Sequence, residues 1–150
     1  PFDGKSKSVV AKALRPDVAI FHAQVADRQG NVSCGYDTEA VMLAEGAKHV
    51  IVTAERIVDR LSEKEATGTF IPSIHVDSVA HAPFGAHPAG CQGLYGPDKI
   101  HMRQYVMASK DDVSFTEYLR TYVHGVRDHE DYMERFVPLD WRQPAQAAVG

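Results

Sequence analysis

The 150-residue chain sets 20 acidic against 16 basic side chains, a formal charge of −4, with 44% hydrophobic and 24% charged residues. That is the composition of one soluble globular domain, without the basic field that would draw nucleic acid or an anionic membrane. Its apolar runs fall short of the roughly 20 residues a membrane helix needs. Cys34 and Cys91 lie far apart outside any C-x-x-C pair, and no secretion signal opens the chain, so a reduced, cytoplasmic setting is expected.

Pro1-Phe2-Asp3-Gly4 reads as the middle of a loop, which suggests a piece of something longer. After Arg15-Pro16, the apolar run Asp17 to Ala23 predicts a central strand buried on both faces. Ala26 to Asn31 supplies turn residues, and Val32 to Cys34 a brief extended piece. Asp37 then stands as a cap before Thr38 to Ala47, whose Ala40, Val41, Leu43, Ala44 and Ala47 predict a short, mostly buried helix. His49 to Ala54 predicts a second buried strand, followed from Glu55 to Ala66 by either a helix or an extended segment with one helical turn. Ile74 to Ala82 alternates, with Ile74, Val76, Ser78 and Ala80 on one side and His75, Asp77, Val79 and His81 on a wet side. Strand, helix, strand and strand again predict an open, mostly parallel α/β sheet with flanking helices.

Pro83 to Gly96 is too rich in proline and glycine for regular structure, and a loop held on a strand end is where binding groups gather. Helical spacing returns at Asp98–Ser109, Phe115–Val126 and Asp128–Val137, so the C-terminal third is predicted to be helical, ending in a loose tail over Gln143–Gly150. One domain over residues 1–142 is expected, its aromatics serving as core or subunit interface.

Eight histidines raise the question of a metal, but His81, His87 and Cys91 match no metal-ligand spacing, and none is expected. No G-x-G-x-x-G, P-loop or G-x-S-x-G sequence occurs. Cys91 has no identified base beside it and reads as inert. His87, clamped between Ala86 and Pro88, is either a staple holding the loop or a substrate contact.

Three stretches, PDVAIFHAQVADRQGNV (16–32), HVIVTAERIV (49–58) and IPSIHVDSVAHAPFGAHP (71–88), together resemble the alpha subunit of family I CoA-transferases, of the glutaconate CoA-transferase type. The resemblance runs from Pro1 to about Val137 and matches the C-terminal half of such a subunit. It implies an open α/β sheet and an active site shared by alpha and beta subunits of a hetero-oligomer. It further implies a CoA thioester as substrate, a carboxylic acid as second substrate, and no permanently bound cofactor. In that family a glutamate from the beta subunit makes the attack on the thioester, passing through an anhydride and a glutamyl-CoA thioester. No catalytic residue is therefore expected here, and Glu39, Glu45 and Glu55 read as solvated positions.

What the resemblance assigns to this chain is the cleft wall. Gly85 and Ala86 would offer backbone amides to an acyl oxygen, His87 would orient the substrate carboxylate or the loop, and Phe84 and Gln24 would complete the substrate and CoA contacts. The alternatives are a CoA-transferase-like hydrolase subunit for a ring-derived acyl-CoA, or an inactive binding protein on the same fold.

Overall fold

The computed structural model describes residues 12–142; the tail predicted at 143–150 and the opening segment lie outside them. Five strands form one mixed sheet in the order β4-β2-β1-β3-β5. Strands β1 (Val18–Asp27), β3 (His49–Val58) and β5 (Ser78–His81) run parallel, while the two-residue strands β2 (Val32–Ser33) and β4 (Phe70–Ile71) pair antiparallel at one side. The mostly parallel α/β sheet and the helical C-terminal third stand as the sequence predicts. The segment after Ala54 resolves to its extended alternative, since β3 continues to Val58 before a turn near residues 63–65.

Side-chain alternation divides this sheet into two unlike faces. Ala19 and Ala23 of β1 sit beside Val50 and Ala54 of β3 and, with Val52, pack under Ala40 and Ala44 of helix α1 (Glu39–Gly46). Small residues on both layers allow the close helix–sheet approach that buries this core. The opposite face carries Val18, Ile20, His22 and Gln24 from β1, and Ile51, Thr53 and Glu55 from β3. Its beginning is open, with Ile20 67% exposed, so β1 is not buried on both faces as its apolar run predicts. Toward the strands' carboxyl ends the same face turns polar and is covered by the loop after β5.

Two further expectations need correcting. Helix α1 buries only Ala40 and Ala44, leaving Met42 and Leu43 exposed. The predicted strand from Ile74 is shorter, because Ser73–His75 closes a 3₁₀ turn behind Pro72 and extended pairing begins at Ser78. Asp77 supplies part of the pairing instead, its Oδ2 accepting from the Val50 amide at 2.7 Å. The inward residue of β5 is Val79, opposite Val52, from the set expected to be wet, whereas Ile74 is exposed.

The C-terminal helices α2 (Lys99–Ala108), α3 (Asp112–Leu119) and α4 (His129–Phe136) each begin at an aspartate. Asp98, Asp111 and Asp128 accept hydrogen bonds from amides two to three residues on, replacing acceptors the first helical turn lacks. Wider π-type turns extend α3 over Arg120–His124, and a last turn, α5, covers Leu139–Arg142. Tyr105, Phe115, Tyr118, Tyr122, Tyr132 and Phe136 interlock as edge-on, tilted and stacked pairs between these helices.

A buried carboxylate closes the carboxyl end of β1. Asp27 accepts from the amides of Gln29, Asn31 and Leu61 and from the Asn31 side chain, all at 2.8–2.9 Å. Burial works to raise its pKa, but the donors from Asn31, Leu61 and Gln29 outweigh it and hold the group below the usual carboxylate value. A depressed native pKa means stability that is complete above the unfolded-state titration and lost as pH falls through the native one. Asp27→Ala should therefore cost about 3 kcal/mol at neutral pH by leaving buried amides without an acceptor, and should flatten the acid limb of the stability curve, as read by denaturant titration from pH 7 to pH 3.

Candidate functional site

The polar end of the sheet is organised by Glu55, which is only 8% exposed. Three segments supply donors to its carboxylate. His22 Nε2 of β1 lies 2.6 Å from Oε1, the Phe84 amide donates to Oε2 at 2.7 Å, and the Tyr95 hydroxyl donates to Oε1. An ionised carboxylate only accepts, so a proton sits on His22 Nε2, and Nδ1 of the same ring lies 2.8 Å from the Thr53 hydroxyl. Burial would raise the Glu55 pKa, but the hydrogen bonds from His22, Tyr95 and Phe84 bring it below the ordinary glutamate value. Tyr95 moves the opposite way, its phenol pushed up first by burial and then by Glu55.

This network fixes the loop from Ala82 to Gly96 against the sheet. Phe84 takes a left-handed backbone, φ 56°, to aim its amide at Glu55, a strain of roughly 1–2 kcal/mol for a residue with a Cβ. Gly85 follows in a position no side chain can share, since a Cβ there would lie 2.7 Å from the Ala82 carbonyl oxygen and 2.9 Å from His22 Cε1. The neighbour that comes so close to Gly85 is thus the chain's own first strand. Its amide donates to the Ala82 carbonyl at 2.9 Å, and the Ala86 amide donates to the Tyr95 hydroxyl at 3.2 Å. Neither amide is free for an acyl oxygen as the sequence suggested, because both hold the turn.

His87 also turns inward. Its side chain is fully enclosed, with Nε2 donating to Asp98 at 3.3 Å and Nδ1 hydrogen-bonded to the Tyr132 hydroxyl at 2.8 Å. His101, Tyr132 and Trp141 surround the ring edge-on. The geometry matches the loop-staple alternative and joins the loop to α2 and α4, so the expected contact of His87 with a substrate carboxylate has no free ring nitrogen behind it. His129, 2.6 Å from the Pro83 carbonyl oxygen, makes a second tie.

Between the loop and the sheet lies a cavity of about 470 Å³, bordered by His22, Gln24, Cys34, Asp37, Cys91 and Gln92. Gln24, predicted as a site residue, lines it and donates its side-chain amide to the Gln92 carbonyl. Ala86 lines it as well. Burial pushes the Cys34 thiol up to about 12 and the Cys91 thiol up to about 11, which favours the protonated form of both, while His22 and Glu55, which the sequence does not place beside Cys91, lie within 4.8 Å of its sulfur. A second depression, about 560 Å³, is bordered by Ala89–Pro97 alone and brings no second element to a ligand.

Two groups, His22–Glu55–Cys91 and His87–Asp98–His101, cluster metal-type donor atoms within 4.8 Å. In each, one pair is already hydrogen-bonded, His22 to Glu55 and His87 to Asp98, and His101 is engaged by the Tyr118 hydroxyl.

Glu55 and His22 escape a reading of the sequence because a glutamate after six strand residues looks like a frayed, solvated end. The available signal is His22, Thr53 and Glu55 placed on one face by strand period inside otherwise apolar runs.

An open α/β sheet whose polar centre sits at the carboxyl ends of parallel strands, beneath the loop that follows one of them, is an arrangement built to hold a ligand at the strand ends. The coenzyme A transferase family model matches residues 1–82, and the chain belongs to this family. It is 37% identical over 137 residues to the A-type subunit of glutaconate CoA-transferase from Acidaminococcus fermentans, covering 90% of this chain and 43% of that protein. The crystal structure of that glutaconate coenzyme A-transferase superposes with a TM-score of 0.72 over 79% of this chain and 38% of the other. The A-type subunit of 3-oxoadipate CoA-transferase from Pseudomonas knackmussii is 33% identical over 139 residues, 90% of this chain and 48% of that protein. The cholesterol ring-cleaving hydrolase IpdA subunit of Rhodococcus jostii is 29% identical over 131 residues, 83% and 44% respectively. The chain spans less than half the length of these relatives.

Two substitutions separate structure from chemistry here. His87→Ala should lower stability by about 2–4 kcal/mol, since it empties an enclosed site and strands Asp98 and Tyr132; an unchanged melting temperature would return His87 to the list of substrate contacts. Gly85→Ala should cost about 1–3 kcal/mol in the chain by itself through overpacking against His22, measurable by chemical denaturation without ligand or partner.

Proposed function

We propose that this chain is part of an A-type subunit of a CoA-transferase that moves CoA between an acyl-CoA and a carboxylic acid. Here it forms one wall of the cleft, while a B-type partner in a hetero-oligomer carries the nucleophilic glutamate. The observation that carries this reading is the state of the acidic residues. Glu55 is enclosed, has both oxygens engaged and is held ionised by donors, which makes it a poor nucleophile and a good anchor. Glu39 and Glu45 lie exposed on α1. The attacking carboxylate is therefore sought across the cleft.

In this reading the loop from Ala82 to Gly96 is preorganised rather than induced. Tyr95 links the Ala86 amide to Glu55, so the wall keeps its shape whether or not substrate is present. Anhydride formation from a thioester and a carboxylate is uphill, and binding of the CoA body far from the reacting carbon must drive it. That calls for a groove longer than this domain supplies and supports a cleft between subunits. CoA enters as substrate and leaves as product, with no resident cofactor required. The likeness to the cholesterol ring-cleaving hydrolase subunit favours a second reading, in which water replaces the acceptor carboxylate.

Treating the assembled enzyme with acyl-CoA and then borohydride, which reduces a glutamyl-CoA thioester, decides the matter by peptide mass spectrometry. The expected product is one reduced glutamate in the partner and none in this chain. Reduction at Glu55 would overturn the division of labour, and turnover of the ester without any trapped glutamate would favour the hydrolase.

A further inference from the structure

The cavity beside Gln24 carries information about the acyl group, provided that it is the acyl end of the proposed cleft. Its border is rich in acceptors and short of positive charge. Asp37 uses Oδ1 to cap α1, accepting from the Glu39 and Ala40 amides at 3.0 and 3.3 Å, while Oδ2 has no hydrogen-bond partner among the described residues. Gln24 gives one amide hydrogen to the Gln92 carbonyl, which leaves its side-chain oxygen and its second amide hydrogen still to be satisfied. Cys34 and Cys91 contribute protonated thiols, small and polarisable. The His22 ring, the one side chain here able to carry positive charge, is already matched by Glu55 and Thr53.

A carboxylate entering this half-open space would give up part of its water, meet the charge of the exposed Asp37 and find no cation among the described lining residues. A neutral chain would lose nothing comparable, and a hydroxyl on it could donate to Gln24 or Asp37. We infer that the cavity formed by Gln24, Cys34, Asp37, Cys91 and Gln92 selects acyl groups with a neutral distal end, aliphatic or hydroxylated, against acyl groups carrying a second carboxylate. The relatives named for glutaconate and 3-oxoadipate are named for dicarboxylates, so the inference separates this chain from them within one family.

Asp37→Asn is the informative variant, because asparagine keeps the oxygen that caps α1 while removing the charge. Binding of pentanoyl-CoA and glutaryl-CoA, equal in chain length and different in the terminal carboxylate, is measured by titration calorimetry on the full-length protein assembled with its partner. Wild type should bind pentanoyl-CoA about tenfold or more tightly than glutaryl-CoA, and Asp37→Asn should tighten glutaryl-CoA by about fivefold, as expected for relief of one partly screened like-charge contact. Equal or tighter binding of glutaryl-CoA by wild type, or no gain in the variant, overturns the inference and leaves the transferase reading in place. Failure of both esters to bind overturns the reading itself, and the inference with it.

Discussion

A carboxylate can leave water only where donors replace the hydration it gives up, and three separate stretches of chain must converge to provide them for Glu55. The donors come from β1, from the backbone just after β5 and from the far side of the glycine-rich loop. Each is held to within hydrogen-bond distance of the same group, so moving one segment exposes the charge that holds the others. The left-handed turn at Phe84 and the bare Cα of Gly85 follow from this requirement. The first aims an amide at Glu55, and the second lets the loop come down onto the His22 ring.

From there the order propagates outward in two directions. The Tyr95 hydroxyl receives the Ala86 amide and so fixes the cavity wall. His87, the next residue along, plugs into Asp98 and Tyr132 and couples the loop to the aromatic packing of the C-terminal helices. A sheet, a loop and a helical layer are thus tied together by two hydrogen-bonded networks that meet in adjacent residues, Ala86 and His87. A surface held in this way loses little further entropy when a ligand is laid along it.

The parts of the structure visible in the sequence are those set by local rules. The strands at His49 and Val18, the capping aspartates at 98, 111 and 128, and the helical C-terminal third are written in short-range pattern. What escaped depends on contacts distant in sequence. Glu55 looks like a solvated strand end until the loop 29 residues away donates to it. His87 reads equally as a staple and as a substrate contact until Tyr132, 45 residues later, is found against its ring. Ile74 misleads for a different reason: alternation continues through a stretch where Pro72 and the 3₁₀ turn break the pleat. In the stretch 85–88, which the resemblance offers as substrate contacts, the Gly85 and Ala86 amides and the His87 ring are all engaged within the chain.

The central claim is that one buried carboxylate, more than the loop's own glycines and prolines, holds the loop from Ala82 to Gly96 on the sheet. Hydrogen exchange of Glu55→Gln against the unaltered protein, at a pH where both are folded, tests it at the level of single amides. The account predicts that Phe84 and Ala86 lose protection by an order of magnitude or more, while amides of β1 and β3 facing α1 exchange as slowly as before. Unchanged protection at Phe84 and Ala86 in a folded variant would contradict it.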